Sequence, residues 1–150
     1  MKKSLLITII FLGWLVASCT TGRSVVSQNV DLSKYRYASI INNDTYQIPA
    51  ELMEYEIQLY DAVEGSGLEL VSDMRLYELQ PRQREQLLLV KYGVSISEEK
   101  TVVTVNFIDY STGRPVVSCS AAAISLVSSQ YEMNGAIKNV ADQIAKTFHK

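Results

Sequence analysis

Between Leu87 and Ile124 the chain alternates apolar and polar side chains with a period of two, three times over. Leu88, Val90, Tyr92, Val94 and Ile96 share one parity. Val103, Val105 and Phe107 share the next, against Thr104 and Asn106. Val117, Cys119, Ala121 and Ala123 share the third, against Ser118 and Ser120. Successive side chains of a strand point to opposite faces, so this pattern belongs to strands with one buried face. Three strands are predicted, Leu87–Ile96, Thr101–Tyr110 and Pro115–Ile124. Their loops, Ser97–Lys100 and Ser111–Arg114, are of hairpin length, which makes an antiparallel meander. The alanines of the third strand leave room for a helix to lie close.

Upstream, Tyr35–Asn42 is rich in β-branched and aromatic residues and predicts a first strand. Pro49 suits the first turn of a helix. From there Leu52, Tyr55, Leu59, Ala62 and Val63 recur at intervals of three and four. Glu51, Glu54, Glu56, Asp61 and Glu64 fall mainly between them, giving an amphipathic helix with an acidic outer face that Gly65-Ser66-Gly67 closes. Leu68–Val71 follows as a short strand, so strand, helix and strand predict a parallel, right-handed βαβ unit. Ser72–Gln86 is a polar connection. Met133, Ile137, Val140, Ala141, Ile144 and Phe148 form the stripe of a closing helix over Gln130–Phe148, its start weakened by Gly135. The expected fold is α+β: a two-layer sandwich, a mixed five-stranded sheet with two helices on one face, in the order β-α-β-β-β-β-α.

The beginning of the chain carries an address. Lys2 and Lys3 precede an apolar run from Leu5 to Val16, which is too short for the roughly 20 residues of a membrane span. Val16-Ala17-Ser18-Cys19 then resembles a bacterial lipobox. The resemblance implies lipid transfer to the Cys19 thiol and cleavage before it. Residues 1–18 are thus expected to be a signal peptide, 19–33 a lipidated flexible tether and 34–150 a single domain. Surface-exposed lipoproteins of the Bacteroidetes resemble one another in an acidic cluster just after the cysteine. Here no acid precedes Asp31, so the expected location is the outer membrane, facing the periplasm.

Composition narrows the chemistry. The chain has 150 residues, with 14 basic and 16 acidic. Removing residues 1–18 takes Lys2 and Lys3 and no acid, leaving 12 basic against 16 acidic, a net charge of −4. Such a domain lacks the basic footprint of a nucleic-acid binder. With Cys19 consumed by lipid, Cys119 is a lone thiol, and its apolar neighbours make it a small buried hydrophobe. The single histidine, His149, is penultimate. A histidine triad, zinc site or general base is therefore not expected. Ser97 and Lys100 have the S-x-x-K spacing of serine acylases, but in an exposed hairpin loop where lysine stays charged. The glutamates of the first helix do not share a face, no calcium-loop spacing occurs, and no glycine-rich phosphate loop is present. Asp109, Ser111 and Gly113 read as turn residues. No catalytic residue, metal or cofactor is expected.

Two features suggest a surface role. Nine tyrosines stand against three phenylalanines, with Tyr35, Tyr37, Tyr46, Tyr55, Tyr60 and Tyr77 in the first half; tyrosine suits interfaces. Arg75, Arg82 and Arg84 make the 75–91 stretch basic within an acidic protein. Arg75, Tyr77, Arg82 and Arg84 are the candidate partner contacts. With its lipobox and element order, the chain resembles small periplasmic lipoproteins of Gram-negative bacteria, most of all those of the Bacteroidetes. Its architecture is similar to that of the N-terminal domain of the translocation protein TolB and of the lipopolysaccharide-assembly lipoprotein LptE. The resemblance implies a non-enzymatic accessory or assembly lipoprotein, held to the membrane through Cys19 and bound to an envelope protein. The alternative is a binding module for an envelope glycan or lipid.

Overall fold

The computed structural model describes residues 21–41, 50–124 and 129–148. Residues 1–18, expected to be a signal peptide, and Cys19, Thr20 and Pro49 lie outside these residues. The three alternating segments form β4 (Leu87–Ile96), β5 (Lys100–Asp109) and β6 (Pro115–Ile124). They pair antiparallel in sequence order, as expected. The first predicted strand is shorter than its composition suggested, β2 (Tyr37–Ile40), and β3 (Glu69–Leu70) lies parallel to it. Between them runs α1 (Ala50–Gly65). At its end Ser66 N–H donates to the Val63 carbonyl and Gly67 N–H to that of Glu64, and Gly67 takes a φ of 88° that side chains disfavour. β2 also pairs parallel with β4, joining the βαβ unit to the meander. A short helix, α2 (Pro81–Glu85), precedes β4, and α3 (Ser129–Phe148) closes the chain.

The strand count corrects the expectation. The sheet is mixed and has six strands, in the order β1-β6-β5-β4-β2-β3. The additional strand is β1 (Thr21–Val26), within the segment read as tether. It pairs antiparallel with β6 from Thr21↔Ala122 to Val26↔Val117. All six of its residues are exposed. Backbone pairing to β6 defines it, and an edge strand of this kind leaves no alternation in the sequence.

One cluster of buried side chains forms the core. β4 contributes Leu88 and Val90, β5 Val103, Val105 and Phe107, and β6 Val117, Cys119, Ala121 and Ala123. Tyr55, Leu59 and Val63 of α1 and Met133, Ala136, Ile137, Val140 and Ile144 of α3 complete it. The small residues of β6 admit α3 closely: a Cβ built on Gly135 would lie 3.9 Å from that of Ala123. Cys119 is a buried free thiol, and burial pushes its pKa up despite a bond with Thr147, so it stays a protonated packing group.

On the opposite face Lys91, Gly93 and Ser95 are exposed, while Leu87 and Ser39 are buried. Ser118 Oγ there donates to Asn106 Oδ1 across the strands at 2.7 Å. Two buried hydroxyls, Ser39 Oγ and Thr101 Oγ1, have no hydrogen-bond partner among the described residues. An orphaned buried hydroxyl costs on the order of 1–3 kcal/mol. Thr101→Val keeps the shape and removes that cost, so it is expected to raise unfolding stability by about 1 kcal/mol. A denaturant midpoint lower than that of the parent would show that the hydroxyl is satisfied.

Candidate functional site: an exposed ridge and a closed carboxylate

Two places concentrate polar chemistry. The first is Asp109, at the end of β5. Counting by twos from Val103 places this residue on the inward parity, and only 3% of it is exposed. Lys34 Nζ and the Tyr35 hydroxyl donate to its Oδ2 at 2.8 and 2.7 Å. The Thr112 N–H and hydroxyl donate to Oδ1 at 2.9 and 3.1 Å. Burial alone would raise the pKa of this carboxyl. The bonds from Lys34, Tyr35 and Thr112 outweigh it and hold the group well below the usual carboxylate range. Tyr35 is pushed up, by burial first and then by its bond to Asp109, and so remains a donor. Gly113 completes the turn at a φ of 67°, its N–H donating to the Asp109 carbonyl.

A cleft of about 700 Å³ opens beside this cluster, lined in part by Asn29, Asp31, Lys34, Asp109 and Arg114. Both carboxylate oxygens of Asp109 are taken by protein donors, and a pKa this low leaves no proton to exchange near neutrality. It therefore acts as a clamp that ties the β5–β6 turn to the 31–35 segment. The turn reading anticipated the Thr112 half of this arrangement and missed the Lys34–Tyr35 half. The overlooked signal was a carboxylate at a core parity.

The second place is the connection from Ser72 to Gln86. Asp73–Glu78 forms a 3-10 helix, and residues three apart on such a helix stack on one face. Met74 and Tyr77 have that spacing and are 81% and 75% exposed. Arg75 lies between them, its Nε donating to Glu78 at 2.8 Å in an exposed pair that contributes little stability. Arg82 is exposed in α2. Arg84 is used differently: its Nε donates to the Leu79 carbonyl and its Nη2 to that of Tyr77, both at 2.9 Å. Gln80 N–H donates to Gln83 Oε1 at the start of α2. The connection is thus fixed from within, and a shallow groove lined by Tyr37, Glu69, Leu70, Arg75 and Glu78 sets it beside β3, at the sheet edge opposite β1.

Of the four expected contacts, Arg75, Tyr77 and Arg82 are exposed, Tyr77 forming a ridge with Met74 on one face of the 3-10 helix, and Arg84 braces that segment. Sequence reasoning overlooked Met74. The wider tyrosine signal divides: Tyr35 and Tyr55 are core residues, Tyr37 and Tyr60 are half-buried, and Tyr46 lies outside the described residues. Tyr92 donates to Glu56 at 3.0 Å, and its pKa is driven up by burial first and then by that carboxylate. Ser97 and Lys100 close an exposed hairpin turn on each other, Ser97 Oγ donating to the Lys100 carbonyl. Among the described residues no group of acids, histidines and cysteines is arranged to hold a metal, and no helix is long and apolar enough to cross a membrane.

No family model matches the chain, and no curated protein matches it. Its α+β architecture is similar to that of two solved structures. The PelC dodecamer from Paraburkholderia phytofirmans superimposes with a TM-score of 0.55 at 14% identity, over 87% of this chain and 99% of that one. A PDZ domain protein from Parabacteroides distasonis superimposes with a TM-score of 0.56 at 11% identity, over 97% of this chain. This chain spans 40% of the length of that protein. At these identities the likeness is one of fold.

Proposed function

We propose that the protein is a lipid-anchored accessory protein of the bacterial envelope, held at the outer membrane through Cys19 and facing the periplasm. It acts by docking a partner protein on the ridge formed by Met74 and Tyr77 and on the exposed Arg75 and Arg82. We read the domain as a two-layer sandwich with both long helices on one face, which leaves the ridge at the sheet edge uncovered. The observation that carries the reading is the Met74–Tyr77 pair: two large side chains, three-quarters or more exposed, on one face of a braced segment. Methionine, tyrosine and arginine are the residues enriched at interface centres. A segment already held by Arg84 and Gln83 loses little conformational freedom on binding. The fold is also one that builds a dodecamer in PelC.

The test is co-purification from detergent-solubilised membranes. Met74→Ala with Tyr77→Ala is expected to cost about 2–4 kcal/mol of partner affinity, thirtyfold or more, with normal unfolding stability. Arg82→Glu is expected to weaken binding, mainly through the association rate. Full retention of the partner by the double variant rejects the ridge. Loss through Thr104 or Asn106 moves the site to the open sheet face, and a glycolipid in place of a protein favours the glycan- or lipid-binding alternative.

A further inference from the structure

We infer that the end of the sheet where β1 begins is seated directly on the bilayer surface, with Ile96 and Ile124 in the headgroup interface. The inference rests on the lipid-anchored reading above and adds an orientation to it. One residue, Thr20, separates Cys19 from Thr21, the first residue of β1. Two residue steps span at most about 7 Å. A lipid on Cys19 therefore holds the first pair of the sheet, Thr21↔Ala122, within that reach of the anchor's attachment point.

The same end of the sheet carries unshielded apolar side chains. Ile124 lies opposite Lys100 and Ile96 opposite Thr101, so they flank the start of β5 on its two sides. Paired residues share a face. Ile96 is thus on the helix-bearing face with Thr101, and Ile124 is on the other face with Lys100. They are 60% and 53% exposed. Along β4 the shared parity runs from buried Leu88 and Val90 through half-buried Tyr92 and Val94 to exposed Ile96. Ile96 is uncovered at the β4 side of this end, while Thr101 and Ala123, level with it on the same face, stay buried. The hairpin beyond Ile96 carries Glu98 and Glu99, with Lys100 beside them. Two carboxylates at the tip keep this end out of the hydrocarbon and confine the contact to the headgroups. The ridge lies beside β3, five strand spacings or roughly 24 Å across the sheet from β1, clear of the anchored edge.

The test uses the full-length lipidated protein, its lipid verified by intact mass, in phosphatidylethanolamine–phosphatidylglycerol vesicles doped with a headgroup-nitroxide lipid. A fluorophore is placed at Glu98→Cys, or at Gln28→Cys, in the turn beyond the far end of β1. Strong quenching at position 98 and severalfold weaker quenching at 28 is the expected result. Ile96→Asn with Ile124→Asn is expected to reduce the quenching at 98. Equal quenching at both positions, or none at 98, on verified lipidated protein overturns the orientation and leaves the anchored reading intact. Unchanged quenching in the Ile96→Asn, Ile124→Asn protein overturns the role of the two isoleucines. A mass without lipid overturns both readings.

Discussion

Cys19→Ser is expected to move the protein from the membrane fraction to the soluble periplasm, or to leave it as an uncleaved precursor. The expectation rests on the Val16-Ala17-Ser18-Cys19 run after a short apolar segment. Each buried methylene of an acyl chain contributes about 0.8 kcal/mol, so one chain binds reversibly while two or three hold a domain at the membrane. Serine offers an oxygen where lipid transfer requires a thiolate sulfur, so the whole anchor is lost. Among the described residues no helix replaces it as a membrane span. Fractionation with labelled fatty acid measures the effect. Label retained by the Cys19→Ser protein would sink the lipid assignment.

Asp109→Ala is expected to destabilise the fold by about 2 kcal/mol, because it strands the buried Tyr35 hydroxyl and removes the acceptor of the exposed Thr112 turn. Lys34 is half exposed, so losing its partner adds little. Lys34→Met is accordingly expected to cost below about 1 kcal/mol. The pH dependence follows from the direction of the shift. Asp109 titrates in the folded protein below its ordinary value of 3.8, so its contribution is complete above that value. The contribution is lost as pH falls below it, when the folded state must take up a proton it binds poorly. Lys34 is raised from 10.5, chiefly by its bond to Asp109, so its smaller contribution fades only as pH rises beyond that value. Denaturant unfolding between pH 2 and 7 should show a steeper acid decline in the parent than in Asp109→Asn. Parallel curves would mean that Asp109 does not clamp the turn.

Elements that bury a face wrote that face into the sequence. β4, β5 and β6 carried a period of two, and α1 and α3 carried stripes of three and four. Their bounds match the structure to within a residue or two. β1 was invisible for a physical reason: an edge strand exposed at every residue has no inward parity, and Thr-Gly-Arg-Ser reads as linker. With Thr21–Val26 a strand, one residue separates Cys19 from the sheet. The ridge was half legible. Arg75, Tyr77 and Arg82 stood out by composition, but Arg84 could be told from them only by the carbonyls it meets. Met74 gained its meaning from a 3-10 spacing that no apolar pattern announced. Asp109 looked like a turn residue because half of its bonds are those of a turn. Its tie to Lys34 and Tyr35 crosses more than seventy residues of chain.

Docking through the ridge is tested most directly by a photo-crosslinking residue placed at Tyr77 in the full-length protein in intact cells, compared with the same residue at Thr104 and at Gln28. Exposure of Met74 and Tyr77 on a braced segment predicts one discrete protein adduct from position 77, absent from 104 and 28 and lost on adding Met74→Ala. Adducts of equal strength from all three positions, or a protein adduct from 104 alone, would contradict it.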